Sequence, residues 1–378
     1  MTFTEGLTKS FSTKGMRLLL LLVGLGVVAT VYRFAVGLGA STNLSDDLPW
    51  GLWVAVDVLS GVALAAGGFS ITAAVYIFNM KKYKPITRPA VLTAFVGYSI
   101  VLVGLAIDVG KPISAWRPLV SLQYHSVMFE VFWCITIYTT VLAFEFAPAF
   151  LERVKWETLL KIIKKLTYPL VIAGIVLSFL HQSSLGGFFL IMPGKLSHLW
   201  YTPNLPYLFY ISAIAAGLAM VSFEGIISSR ALKRNEDETP ILQGLARGAR
   251  ITLIIYLIAK AADMTYHGNW PLLFAGTKAS FFWSVEMIVG VIVPILLYSI
   301  KSVRESVNGL LFTSGLVLFG VVLNRFDVNF FAQTEVEKLY FPTVWELLVT
   351  IGLISAIILA YRLAVMHLPV FHEGPLNR

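Results

Sequence analysis

The sequence predicts an all-α polytopic membrane protein of about ten transmembrane helices, and three observations predict it. The first is composition: of 378 residues, 57% are hydrophobic and 13% charged, with a mean hydropathy of +0.78. That balance is too apolar for a soluble domain. The second is a series of apolar runs, each near the roughly 20 residues that a spanning helix needs. The third is the placement of charge, which gathers in alternate connections between those runs.

The runs justify themselves in order. Span one covers 17–39, after Lys9, Lys14 and Arg17. Its basic start and the small residues Gly37-Leu38-Gly39-Ala40 also fit a signal peptide. The apolar run, however, exceeds the usual h-region of about 7–15 residues. Removing it leaves nine spans and a less regular charge alternation, so it is read as retained. Span two, 50–79, follows Leu48-Pro49 and carries a small-residue stripe of Ser60, Gly61, Ala65 and Gly68. Lys81, Lys82, Lys84 and Arg88 join it to span three, 89–109. Span four, 124–147, holds the single cysteine, Cys134. One cysteine forms no intramolecular disulfide and cannot supply the thiolates of an iron–sulfur cluster, so it reads as a small core hydrophobe.

Arg153, Lys155, Lys161, Lys164 and Lys165 precede or open span five, 164–185. Span six, 205–229, opens on Leu205-Pro206 and repeats the small-residue pattern with Ala213, Ala216 and Gly217. Small residues let transmembrane helices approach closely. A polar linker, 228–250, leads to span seven, 249–266. Spans eight, nine and ten cover 279–300, 308–325 and 342–366. The expected organisation is an N-terminal segment with the first helix (1–49), a first four-helix bundle (50–185), a second (186–327), and a last helix with its tail (328–378).

The net charge of +8 is distributed by topology: 21 of the 29 basic residues fall on one side of a ten-span chain. The positive-inside rule places that side, with both termini, in the cytoplasm. A nucleic-acid surface would not alternate loop by loop, so that class is set aside. Trp50, Trp53, Trp116, Trp200, Tyr201, Trp270 and Trp345 fall near the outer ends of spans, as an interfacial belt does.

Ionisable side chains inside the apolar runs carry the functional signal. Each costs about 2.5–3.5 kcal/mol on insertion scales, so it needs a partner, a water-filled cavity or a function. Asp57, His125, Glu130, His181, Lys260, Asp263 and Glu286 crowd the outer half. Asn324-Arg325-Phe326-Asp327 is expected to end span nine there, and His181 to sit at the outer end of span five. Glu145 and Glu224 are the exceptions, on the inner halves of spans four and six. Glu145 reads as snorkelling or hydrated, and Glu224 as a proton-conducting candidate or a locally paired carboxylate.

A quinone site needs a flat apolar slot, donors for two carbonyls and groups that exchange protons. Histidine, with an unperturbed pKa near 6.5, suits that task. Asp47 or Asp57 with His181 could supply the pair. Two rivals stay open. A bis-histidine haem needs two axial His at one depth on adjacent helices, and His125, His181, His198 and His267 all lie near one face. A proton- or ion-coupled transporter favours broken helices at mid-membrane, of which Pro169 and Pro294 give little sign.

Several segments are familiar together. They are Asp47-Leu48-Pro49-Trp50-Gly51-Leu52-Trp53, Ser60-Gly61-Val62-Ala63-Leu64-Ala65-Ala66-Gly67-Gly68-Phe69, Tyr124-His125-Ser126-Val127-Met128-Phe129-Glu130, His181-Gln182-Ser183-Ser184-Leu185-Gly186, Leu199-Trp200-Tyr201-Thr202-Pro203 and Ser212-Ala213-Ile214-Ala215-Ala216-Gly217. In this combination, over nearly its whole length, the chain resembles the NrfD/polysulfide-reductase family of membrane subunits, in particular its HybB-like branch. The resemblance implies two four-helix bundles, a menaquinone site near the outer face, and no haem or metal in this chain. It implies an iron–sulfur ferredoxin-like partner and a catalytic or multihaem cytochrome subunit, in the inner cell membrane. Carried over, the quinone pocket would involve Asp47, Trp50, Tyr124, His181 and Gln182, with Asp47 and His181 as carbonyl partners and proton donors. Asp57, His125, Glu130, Glu224 and Glu286 would form the proton path.

Overall fold

A computed structural model describes residues 13–46, 48, 50–191, 194–234, 238–334 and 340–371. Ten helices in it are long and apolar enough to cross a membrane: Lys14–Val36, Trp53–Ile77, Lys81–Asp108, Val127–Val154, Thr167–Ile191, Leu205–Leu232, Thr239–His267, Lys278–Ser299, Val307–Phe331 and Val344–His367. These are spans one to ten. Among the described residues the only β pairing is an isolated bridge between Leu196 and Gln333.

Local chemistry starts and bends the helices. Ser126, Thr277 and Ser306 cap spans four, eight and nine by accepting from a backbone N–H three residues on. Thr343 and Glu346 close a reciprocal capping box at span ten, which satisfies two donors that the helix start would otherwise leave bare. Wide π turns interrupt three spans, at Trp53–Ser60 and Ala73–Ile77 in span two, Ile288–Ile292 in span eight and Asp327–Phe331 in span nine. Such turns absorb an extra residue and cluster at functional sites. Here they contain Asp57 and Asp327 and come just after Glu286.

Spans two to five pack in sequence, two on three, three on four and four on five. Span six touches seven and nine, and also two and five. The small-residue stripes explain these approaches. Gly68 of span two would put a Cβ 2.5 Å from Ala94 of span three. Gly217 of span six would put one 2.5 Å from the Ala66 and Gly67 backbone, so spans two and six meet main chain to main chain. Spans one and ten pair mainly with each other, through Gly26 and Gly352. The belt expectation needs correction at two tryptophans. Trp53 and Trp200 are buried because their indole N–H groups find internal acceptors, the Glu346 carbonyl and the Glu286 carboxylate.

Candidate functional site

Two buried polar clusters form on either side of the span two–span six contact. The first joins spans three, four and five. Span five runs ten residues beyond His181, to Ile191, so about 15 Å of helix separates His181 from that end. The histidine is therefore inside its span, because the polar and small residues after it continue the helix. Tyr98 lies ten residues before the end of span three, and Tyr138 eleven after the start of span four. The three rings share one level. Tyr98 meets Tyr138 edge to face at 4.6 Å and His181 at 5.6 Å.

His181 is fully buried. Its Nδ1 lies 3.3 Å from the Tyr98 hydroxyl, while Nε2 has no hydrogen-bond partner. Ser178 and Gln182 flank Tyr98 without reaching a well-formed hydrogen bond, and the Tyr138 hydroxyl is likewise buried and unpaired. Buried polar atoms are nearly always satisfied, so several orphans together need an explanation. Phe188 lies seven residues beyond His181 on the same helix face, about 10 Å outward. Trp50 packs on it at 4.1 Å and on Phe189 at 5.7 Å. An aromatic pair thus stands above the histidine on the side away from the basic loops. Asn329 donates to the Trp50 carbonyl at 3.2 Å and keeps its own oxygen free.

The second cluster joins spans six to nine and is ionic. Glu286 accepts from Trp200 Nε1 at 2.8 Å, Asn324 Nδ2 at 2.9 Å and the Tyr256 hydroxyl at 3.2 Å. Lys260 donates to the Leu199 carbonyl at 2.8 Å. Arg325 reaches Asn324 Oδ1, the Phe209 carbonyl and Ser212 Oγ, with its guanidinium 3.7 Å over the Phe209 ring. Asp263 accepts from Thr202 at 2.5 Å and Asn204 at 2.9 Å. Asp327 lies in electrostatic reach of Glu286, and its oxygens accept no hydrogen bond. Span nine continues through its π turn to Phe331, so Asn324, Arg325 and Asp327 are inside the helix and do not end it.

The remaining expected residues spread out. Asp57 is buried, with Thr350 of span ten donating at 3.4 Å. Glu224 accepts from Thr93 at 2.5 Å and lines a small pocket with Tyr361 and Phe371 at the basic face. Tyr124, His125 and Glu130 are exposed and stand apart from the His181 cluster; the Tyr124 ring packs on Phe129. Asp47 lies outside the described residues. Outside the spans, Tyr340 bridges the Leu52 N–H and the Glu346 carboxylate. Burial and that carboxylate push its phenol above the usual range.

Sequence reasoning missed Tyr98, Tyr138 and Ser178. Neutral hydroxyls leave hydropathy almost unchanged. The available signal was position: Tyr98 and Tyr138 lie in the middle of their spans, where a belt tyrosine has no place.

Comparison with known proteins gives the family. A family model described as polysulphide reductase, NrfD, matches residues 40–337. A protein of Nitratidesulfovibrio vulgaris is 41% identical over 97% of both chains. The probable Ni/Fe-hydrogenase 2 b-type cytochrome subunit of Escherichia coli is 32% identical, over 92% of this chain and 90% of that one. The integral membrane subunit of menaquinone reductase from Nitratidesulfovibrio vulgaris is 28% identical, over 100% and 97%. With its ten apolar helices and a family match across most of its length, this multi-pass membrane protein belongs to the NrfD family.

Proposed function

We propose that this chain is the quinone-reactive membrane subunit of a respiratory oxidoreductase complex, exchanging electrons between an iron–sulfur partner subunit and menaquinone or menaquinol. One observation carries the reading: a fully buried histidine with a free Nε2, set below an aromatic pair. The relative named as a menaquinone reductase subunit supports it. The residues fit the group. Trp50 and Phe188 offer flat apolar faces, and His181 Nε2 and the Gln182 carboxamide are unpaired polar atoms below them. A bound quinone supplies two-electron, two-proton redox chemistry.

In this chain, His181 Nε2 holds the proton exchanged with a quinone oxygen, and Tyr98 orients the ring through Nδ1. Gln182 binds the same end, and tight packing around the rings excludes bulk water. Asp47 is the second carbonyl partner. Asp57, Glu224 and Glu286 are the buried acids of a proton path, with His125 and Glu130 at its exposed outer end. The charge of the basic loops, by the positive-inside rule, supports an orientation with both termini in the cytoplasm and the Trp50 end outside, in the inner cell membrane. An iron–sulfur ferredoxin-like subunit docks there, together with a catalytic or multihaem cytochrome subunit.

The haem reading meets a geometric obstacle. A bis-histidine haem needs a second ring facing His181, and among the described residues His125 and His198 are exposed while His267 bonds within the Asp263 turn. Titration of the purified complex with a fluorescent quinol-site inhibitor tests the proposal. Saturable quenching is expected, weakened about tenfold or more in His181→Ala, as loss of a buried hydrogen bond predicts. No saturable binding to a folded complex, or a reduced-minus-oxidised haem α-band from this chain, overturns it.

A further inference from the structure

We infer that a cavity at the basic face, ending on Glu145, is the proton entry to the His181 site. This rests on the quinone reading and adds a route that none of the acids expected from the sequence supplies.

The cavity holds about 140 Å³, room for several waters. Tyr76, Arg88, Glu145, Lys164 and Thr167 are among its lining residues. Tyr76, Arg88 and Thr167 belong to the ends of spans two, three and five nearest the basic loops, and Lys164 to the short helix Glu157–Lys165 that leads into span five. Lys164 is more than half exposed, so the cavity meets bulk water at that face. Arg88 and Lys164 are both tied to Glu152 at the rim, at 2.8 and 3.3 Å. Glu145 has no such partner. Its Oε1 is buried without a hydrogen bond, at the cavity's inner end. A carboxyl in that position costs stability unless water reaches it or it has work to do.

The groups beyond Glu145 give it that work. Tyr138 is seven residues before it on span four, so both project from one helix face, about 10 Å apart along the axis. Span five presents Gly174 to both. A Cβ there would sit 3.5 Å from Glu145 Oε1 and 3.5 Å from the Tyr138 ring. The glycine therefore keeps a gap open between the carboxyl and the phenol. Gly174 is also seven residues before His181, and Ser178 lies between them on span five. The polar groups fall on one line: cavity, Glu145, Tyr138 with Ser178, Tyr98, His181. The hydroxyls of Tyr138 and Ser178 are unpaired and buried, free to pass a proton on. Tyr98 stands 3.3 Å from the histidine.

Reduction of one quinone takes two electrons from the reduced iron–sulfur partner and two protons. The protons come from cavity water by way of Glu145, and His181 Nε2 delivers them. Quinol oxidation runs the same line backwards, with the electrons leaving to the oxidised partner.

The test uses the intact complex in oriented liposomes with a pH dye on the basic-face side. Glu145→Gln keeps the shape and removes the exchangeable carboxyl proton. The expected result is proton uptake from that side slowed about tenfold or more, the scale of a lost proton-transfer group, with inhibitor affinity at His181 unchanged. Hydration is read without turnover: Val171→Cys, on the cavity wall, is labelled by a membrane-impermeant thiol reagent added at the basic face, in a Cys134→Ala background. Three outcomes overturn the route. They are unchanged uptake in Glu145→Gln, an unlabelled Val171→Cys in a complex that binds inhibitor, or loss of inhibitor binding in Glu145→Gln, which makes its role structural. Loss of inhibitor binding in the parent complex sinks the quinone reading instead.

Discussion

The His181 cluster and the Glu286 cluster are built from opposite materials. Around His181 the groups are mostly neutral rings and hydroxyls, and several atoms are left unpaired. Around Glu286 there are two cations, three carboxylates and a dense set of donors, with Glu286 itself accepting three hydrogen bonds. Asp327 and Arg325 Nε stay unpaired there, but a densely paired buried network rigidifies the elements it joins, and it punishes the loss of a central member. An unsaturated one forgoes that stability and keeps free valences for a ligand or a proton. The contrast sets open valences in spans three to five against a densely paired network in spans six to nine, and under the proposed function the quinone meets the first.

The largest effect should come from breaking the densely paired side. Glu286→Ala strips the acceptor from Trp200, Tyr256 and Asn324 and removes one of the anions facing Lys260 and Arg325. A cost of about 3–5 kcal/mol is expected, read as loss of folded protein and a lower unfolding midpoint in detergent. Wild-type stability in this variant would erase the distinction between the clusters. Next comes the contact between the two sides. Gly217→Val drives a side chain into the Ala66–Gly67 backbone and should cost about 1–3 kcal/mol by overpacking. Thermal unfolding should show it, with inhibitor affinity falling in step as spans two and six separate. The smallest effect sharpens the unsaturated side. Tyr98→Phe keeps the edge-to-face ring packing and removes one hydroxyl, so stability should change by about 1 kcal/mol or less. Its mark should be a slower proton uptake, with inhibitor affinity falling less than in His181→Ala; a large fall in stability would show that the hydroxyl serves mainly to hold the fold.

Much of the fold is legible in the sequence because hydropathy and loop charge report directly on the bilayer. The count and order of spans come from them. Helix ends are where they mislead. Hydropathy stops span five at 185, yet the helix runs to Ile191, because Gly186 and Gly187 lower hydropathy without breaking a packed helix. It stops span nine at 325, since charge usually marks water. Arg325 stays inside because Phe209, Ser212 and Asn324 satisfy it. Of the candidate site, His181 and Glu286 are legible as ionisable groups inside apolar runs, while Trp50 and Gln182 are pointed to only by the family resemblance. Their partners are not legible, since Tyr98 is 83 positions from His181 and no local pattern links the two. Glu145 is visible in the sequence, but its meaning depends on the cavity beside it.

The wide turn at Trp53–Ser60 has a consequence for how this chain tolerates insertion and deletion. In an ordinary α-helix, losing one residue rotates everything beyond it by about 100° and pulls it in by about 1.5 Å. Inside a bilayer that exchanges the lipid face for the packed one. A π segment already carries a surplus residue, so a deletion there lets the backbone relax to α-helical pitch and leaves the rest of the helix in register. Span two thus has a slack loop of yarn next to Asp57. Lineages or experimenters can take it up to re-aim that one carboxylate, without moving the glycines that hold spans three and six in place.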